Sequence, residues 1–165
     1  MEVWEVVARE SIRDLVARYN ANGDAGRVPQ VLELFASDAV MELGDPGSST
    51  LHTGLDEIAL IFTGTKERWT AEATDRGAPP YVRHCVSTHQ IDVRDEDHAT
   101  GRCYFFVIMD HGLDHWGRYF DEYAHVEGRW LIAHRRATTD AAIAGGWGAD
   151  RTSTTDTTQT DSTQE

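Results

Sequence analysis

The strongest constraint on the fold is a run of four strand-like segments in the second half of the chain, over residues 82–93, 99–109, 116–126 and 129–139. Each is rich in β-branched and aromatic residues, and the links are short and polar: 94–97, 110–115 and the pair Glu127-Gly128. Links of that length leave no room for crossover helices, so the four strands form an antiparallel meander. The helical signals all come earlier in the chain. Helices first and strands after is the α+β pattern, and a strongly bent antiparallel sheet wrapped around N-terminal helices encloses a pocket between them.

The first helix is carried by Trp4, Ala8, Ile12, Leu15 and Tyr19, spaced three or four apart as one helical face requires. Gly23 ends it, and Asp24 follows. Taken alone, Asp24 reads most simply as the N-cap of a second helix over 25–35, where Val28, Val31, Leu32 and Phe35 share a face. Tyr19 alone reads as a core aromatic with its hydroxyl at the rim. Their spacing nevertheless lets a phenol and a carboxylate look into one interior space. A short strand over 37–43, a Gly/Ser/Pro-rich loop over 44–50 and a helix over 54–63 follow. Residues 64–80 show little periodicity and contain Pro79-Pro80; at that length a lid or a partly helical excursion is expected.

At 165 residues the chain makes one domain, expected over 1–147. The segment 148–165, dominated by Thr, Ser, Asp and Gln, cannot bury apolar surface and is expected to be disordered. A formal charge of −13 argues against nucleic-acid partners and against docking on anionic membranes. No apolar run approaches the ~20 residues of a membrane span, and the N-terminus lacks a basic start and apolar block, so a cytoplasmic protein is expected. Cys85 and Cys103, without metal or redox spacing, are expected as buried free thiols.

Other candidates are weaker. His111 and His115 are four apart, but Gly112 and the loop setting spoil a helical metal pair, and solvent-exposed loop histidines are expected. His84 and His89 fall on opposite strand faces unless a bulge intervenes. Gly145-Gly146-Trp147-Gly148 lacks the context of a phosphate loop and reads as an exit from the fold. Nothing demands a metal, nucleotide or flavin, so no cofactor is expected.

Several segments together resemble one family. They are Ile-Arg-Asp-Leu-Val-Ala-Arg-Tyr (12–19), Asp24, Leu-Phe-Ala-Ser-Asp-Ala-Val (34–40), Arg-His-Cys-Val-Ser-Thr (83–88), Gly-Arg-Tyr-Phe-Asp-Glu-Tyr (117–123) and Glu-Gly-Arg-Trp-Leu-Ile-Ala-His-Arg-Arg (127–136). In order and spacing they are similar to the SnoaL-like branch of the NTF2-like superfamily, over roughly residues 5–140. The resemblance implies a cone-shaped α+β barrel, assembled as a homodimer or homotrimer. Scytalone dehydratases, bile-acid 7α-dehydratases and hexachlorocyclohexane dehydrochlorinases of this kind share an Asp–His pair in the cone, and Asp24 and His84 match it. Tyr19 matches a catalytic tyrosine five residues before that aspartate. Tyr119 and Arg135 match pocket contacts. Leu43, beside Glu42, stands where ketosteroid isomerase carries its acidic base, so that mechanism is not implied. Asp121 and Arg135 lack the third member of an epoxide-hydrolase Asp-Arg-Asp set.

The chemistry suits those residue types. A neutral histidine takes a proton near neutral pH, and an aspartate on its other ring nitrogen fixes the tautomer and stabilises the imidazolium. A tyrosine hydroxyl holds a carbonyl oxygen or assists a leaving hydroxyl. The reading that follows is a cofactor-independent lyase or isomerase acting on a small, mostly apolar carbonyl or hydroxy compound. The alternatives are a non-catalytic ligand-binding module resembling an oxygenase small subunit, and a polyketide cyclase using the same pair.

Overall fold

A computed structural model describes residues 2–77 and 81–149. Three helices, α1 (Val3–Asp24), α2 (Val28–Leu32) and α3 (Gly54–Arg76), precede or interrupt a sheet of six strands. The strands are β1 (Phe35–Leu43), β2 (Thr50–Thr53), β3 (Val82–Val93), β4 (His98–Met109), β5 (Gly112–Val126) and β6 (Arg129–Ala142), in the spatial order β2-β1-β6-β5-β4-β3. The strands β3 to β6 form the expected antiparallel meander. The β5–β6 link turns at Glu127 and Gly128, both at positive φ (51° and 78°), the pattern of a type I′ hairpin turn. The sheet as a whole is mixed, because β1 lies parallel to β6, with Met41 opposite Arg135 and Leu43 opposite Ala137.

The curled, unclosed sheet holds α1 against its concave face. Ile12, Leu15, Val16 and Tyr19 of α1 are buried there among Phe35, Met41, Val107, Tyr119 and Ile132, and Ala8 is buried too. Trp4, the first residue of the expected stripe, is 40% exposed and stands outside that core. Helix α2 is only five residues long, because Phe35 already pairs with Ile132 of β6. Its N-cap is Arg27, so Asp24 does not cap it and instead closes α1.

Helix α3 runs on through residues 64–76, where the sequence shows no apolar stripe. Its inward positions there are Thr65, Trp69 and Glu72, which face an open cavity edge rather than packed core and so need not be aliphatic. The helix ends at Gly77, whose φ of +76° is the left-handed conformation of a C-cap. Among the described residues no helix is long and apolar enough to cross a membrane. The chain remains folded through Ala149, so the segment expected to be disordered over 148–165 starts within the fold; from residue 150 on it lies outside the described residues.

Candidate active site

Between α1, α3 and the concave face lies a cavity of about 790 Å³, lined among others by Tyr19, His84, Phe105, His115, Tyr119 and Trp147. Asp24 stands behind His84 and meets it twice. Its Oδ2 accepts the His84 backbone N–H at 2.9 Å, and its Oδ1 is 2.6 Å from His84 Nδ1. The backbone bond places the carboxylate before the ring is considered, and the second oxygen then selects the tautomer with hydrogen on Nδ1. The Asp24 side chain is 7% exposed and that of His84 27%, so the imidazole reaches the cavity while its partner is withdrawn from water.

Aromatic rings form the floor. Phe105 stacks on Tyr119 at 4.6 Å between ring centres, and Tyr19 meets Tyr119 edge-on at 6.0 Å. Tyr119 donates to Asn20 Oδ1 at 3.3 Å. Burial, and then the neighbouring Tyr19 phenol, push the Tyr119 hydroxyl well above its ordinary pKa, so it stays protonated and able to donate.

Arg135 is placed differently from the pocket contact the resemblance implies. It is fully buried, and among the described residues that line the cavity it is absent. Its guanidinium lies over both the Tyr19 and Tyr119 rings, at 4.1 and 4.3 Å, and forms a two-point ion pair with Asp121 at 2.8 and 2.7 Å. Burial works against its charge, but Asp121 outweighs burial and holds the guanidinium protonated. Arg135 therefore supports the two tyrosines from below. Tyr123 donates to Asp121 at 2.6 Å and lies 3.4 Å from His89 Nε2. His89 reaches this network through a bulge between Ser87 and Gln90, where Thr88 takes φ 55°.

His115 was expected to be solvent-exposed in a loop, and it is buried in β5. The ladder to β4 slips between Val107/His115 and Ile108/Leu113, so Asp114 is an extra, bulged residue. The bulge lets Asp114 and His115 both turn inward, with Asp114 Oδ1 2.5 Å from His115 Nδ1. The His115 ring faces His84 at 6.4 Å and 84°. Two carboxylate-held histidines thus approach one cavity from β3 and β5. A polar run with a glycine in it gave no sequence signal for this bulge; only the adjacency of Asp114 and His115 hinted at a pair.

The cavity mouth is flanked by the C-terminal segment 143–149. Trp147 packs against Trp69 of α3 at 6.0 Å and its Nε1 donates to Glu72, so this stretch docks on the fold rather than leaving it. Cys103 is buried and its thiol is pushed up to about 12, chiefly by burial; Cys85 is half-buried, and both are free thiols.

A family model described as a SnoaL-like domain matches residues 4–136. Comparison with curated protein sequences gives no match. Among solved structures, a candidate scytalone dehydratase from Novosphingobium aromaticivorans superposes with a TM-score of 0.70 at 21% identity, covering 87% of this chain and 91% of that one. LinA gives 0.69 at 15% identity, covering 87% and 94%. The beta subunit of a candidate aromatic-ring-hydroxylating dioxygenase from Novosphingobium aromaticivorans gives 0.67 at 19%, covering 84% and 93%. At these identities the likeness establishes the fold.

Proposed function

The chain belongs to the SnoaL-like domain family, and from that premise we propose that it is a lyase or isomerase in which the His84–Asp24 pair removes a proton beside a carbonyl. The observation that carries this reading is the two-point grip of Asp24 on His84 at the edge of an aromatic-floored cavity. With hydrogen on Nδ1, the Nε2 lone pair of His84 takes the proton from carbon. The C–H electron pair moves towards the carbonyl, and the oxyanion is held by the Tyr19 hydroxyl, with Tyr119 as a pocket contact. In a β-hydroxy substrate those electrons then return to form C=C and expel the hydroxyl. The proton returned by the His84 imidazolium leaves with it as water, and the base is regenerated. Without a leaving group, returning the proton to another carbon gives isomerisation.

General-base catalysis of this kind contributes about 10²–10⁴-fold. A cavity of about 790 Å³ is within the range that encloses drug-sized ligands, so a polycyclic cyclase substrate fits the same residues. The test is turnover of hydroxy-ketones and hydroxy-acyl thioesters, followed by the absorbance of the conjugated product. Elimination by the wild type that is lost in His84→Ala supports the reading; undiminished turnover in that variant overturns it.

A second reading, a non-catalytic oxygenase-subunit-like module, draws on the likeness to a dioxygenase beta subunit and on exposed Tyr104, Phe106 and Trp116 on the outer face. It expects a stable hetero-complex and no turnover with any of these compounds.

A further inference from the structure

Asp114 is fully buried, yet its two oxygens gather three hydrogen-bond partners and the nearby His111 ring. Oδ1 meets His115 Nδ1 at 2.5 Å and accepts the Gly148 N–H at 2.9 Å. Oδ2 accepts the Trp147 N–H at 2.7 Å and lies 3.0 Å from His111 Nε2. The carboxylate that holds a cavity histidine therefore also holds the segment bearing Trp147 at the cavity mouth. The glycines of this segment make the arrangement possible. A Cβ on Gly148 would lie 2.5 Å from Cβ and Cγ of His115, and one on Gly146 would lie 2.9 Å from Asp114 Oδ2. Only backbone without side chains comes that close, which accounts for Gly146 and Gly148, while Gly145 takes a left-handed φ of +76°. The indole of Trp147 is fixed from the other side by α3: Glu72 accepts from Nε1 at 3.1 Å, and the Arg68 guanidinium lies 4.4 Å over the ring.

We propose that Asp114 is a positioning residue that couples seating of the strap 143–149 over the cavity to the protonation behaviour of His115. The proposal rests on the reading of this cavity as an acid–base site. Seated, the strap shields His115 from water, and its two N–H groups share the Asp114 charge. Lifted, it exposes the ring and leaves the whole carboxylate charge to the histidines. Both changes favour the imidazolium, so closure prepares His115 to give up a proton and opening lets it hold one. The Asp114 carboxyl agrees with this. Burial alone would raise its pKa, but the His115 ring and the N–H groups of Trp147 and Gly148 more than offset burial and hold it below its ordinary value. Among the described residues, the other charged groups facing His115 and the strap are the His84–Asp24 pair from β3 and α1, His111 before β5, Glu72 and Arg68 from α3, and Arg118–Asp140 between β5 and β6.

The test needs no substrate. Histidine-labelled protein is titrated by NMR, and amide exchange is followed at Trp147 and Gly148, in the wild type, Gly148→Ala and Asp114→Asn. Gly148→Ala displaces the strap while leaving Asp114 and His115 chemically intact. The expected result is exchange at both amides faster by about tenfold or more, and a His115 midpoint raised by at least about 0.5 pH unit. In Asp114→Asn the exchange rises likewise, but the midpoint falls, because the carboxylate partner is gone. A loosened strap with an unmoved His115 midpoint in Gly148→Ala overturns the coupling. So does unchanged strap exchange in Asp114→Asn. Should Asp114→Asn fail to fold, Gly148→Ala alone decides. A failure here leaves the His84 mechanism standing, and a protein without turnover leaves these titrations readable.

Discussion

Asp24 closes helix α1 and grips His84, sixty residues further on, through both carboxylate oxygens, one on the backbone N–H and one on the ring. The pair is thus fixed to the fold and oriented for chemistry by a single side chain. In the proposed mechanism, removing either member disables the same proton transfer. His84→Ala and Asp24→Asn are each expected to lower turnover by at least ~100-fold, the low end of general-base catalysis. The double variant should be little worse than the worse single one, because groups acting as a unit are strongly non-additive. Multiplicative losses in the steady-state constants would dismiss the dyad.

The Arg135–Asp121 pair is expected to matter for stability more than for binding. Both side chains are at 0% exposure, so removing one leaves a buried charge uncompensated. Arg135→Met should cost about 3–5 kcal/mol in urea denaturation, and adding Asp121→Leu should recover much of it. Loss of less than about 1 kcal/mol in the single variant would show that water reaches the pair.

How much of this could be read from residues alone divides along a physical line. The meander was legible because β3 to β6 are long, and Glu127-Gly128 is a turn whatever surrounds it. The order helix, Asp24, strand, His84 was legible through a family likeness. Positions set by tertiary context were not. Helix α3 continues past its apolar stripe because Thr65 and Trp69 face a cavity, and periodicity reports packed core only. Arg135 carries the same sequence signature whether it points into a pocket or lies beneath two tyrosines. His115 is turned inward by one bulged residue, Asp114, and a single-residue slip leaves no mark in hydropathy. Strand β2 is four residues long, too short to rise above the loop around it.

The chain end offers a sharp contrast. Beyond Ala149 the sequence contains no apolar residue, so a chain ending there should keep its melting temperature within error. A chain ending at Gly146 loses the Trp147 indole and both strap donors to buried Asp114. Leaving that acceptor short of partners costs about 1–3 kcal/mol, or about 2–4 °C per kcal/mol in a chain of this size. Equal melting of the two truncations would mean that the strap is not seated in solution.

The outer face of the sheet predicts self-association. Tyr104, Phe106, Leu113 and Trp116 are 37–55% exposed on neighbouring strands, with Phe106 directly opposite Trp116. Contiguous apolar surface of this kind rarely stays uncovered. A homodimer or homotrimer is expected by light scattering at micromolar concentration, and Trp116→Glu should shift it towards the monomer. A monomeric wild type rules this out.

The depressed pKa of Asp114 fixes the sign of one pH effect on stability. A carboxyl whose folded value lies below its unfolded value near 3.8 binds its proton more readily when unfolded. Its contribution is therefore fully present above that value and fades as pH falls through the lower, folded one. Urea denaturation from pH 7 to pH 3 should show the stability gap between the wild type and Asp114→Asn constant down to about pH 5 and narrowing below about pH 4. His111→Gln isolates the carboxylate from the more exposed of its two histidine neighbours. A gap that widens on acidification would place the Asp114 proton on the folded side and remove the carboxylate from its role as the anchor of the strap.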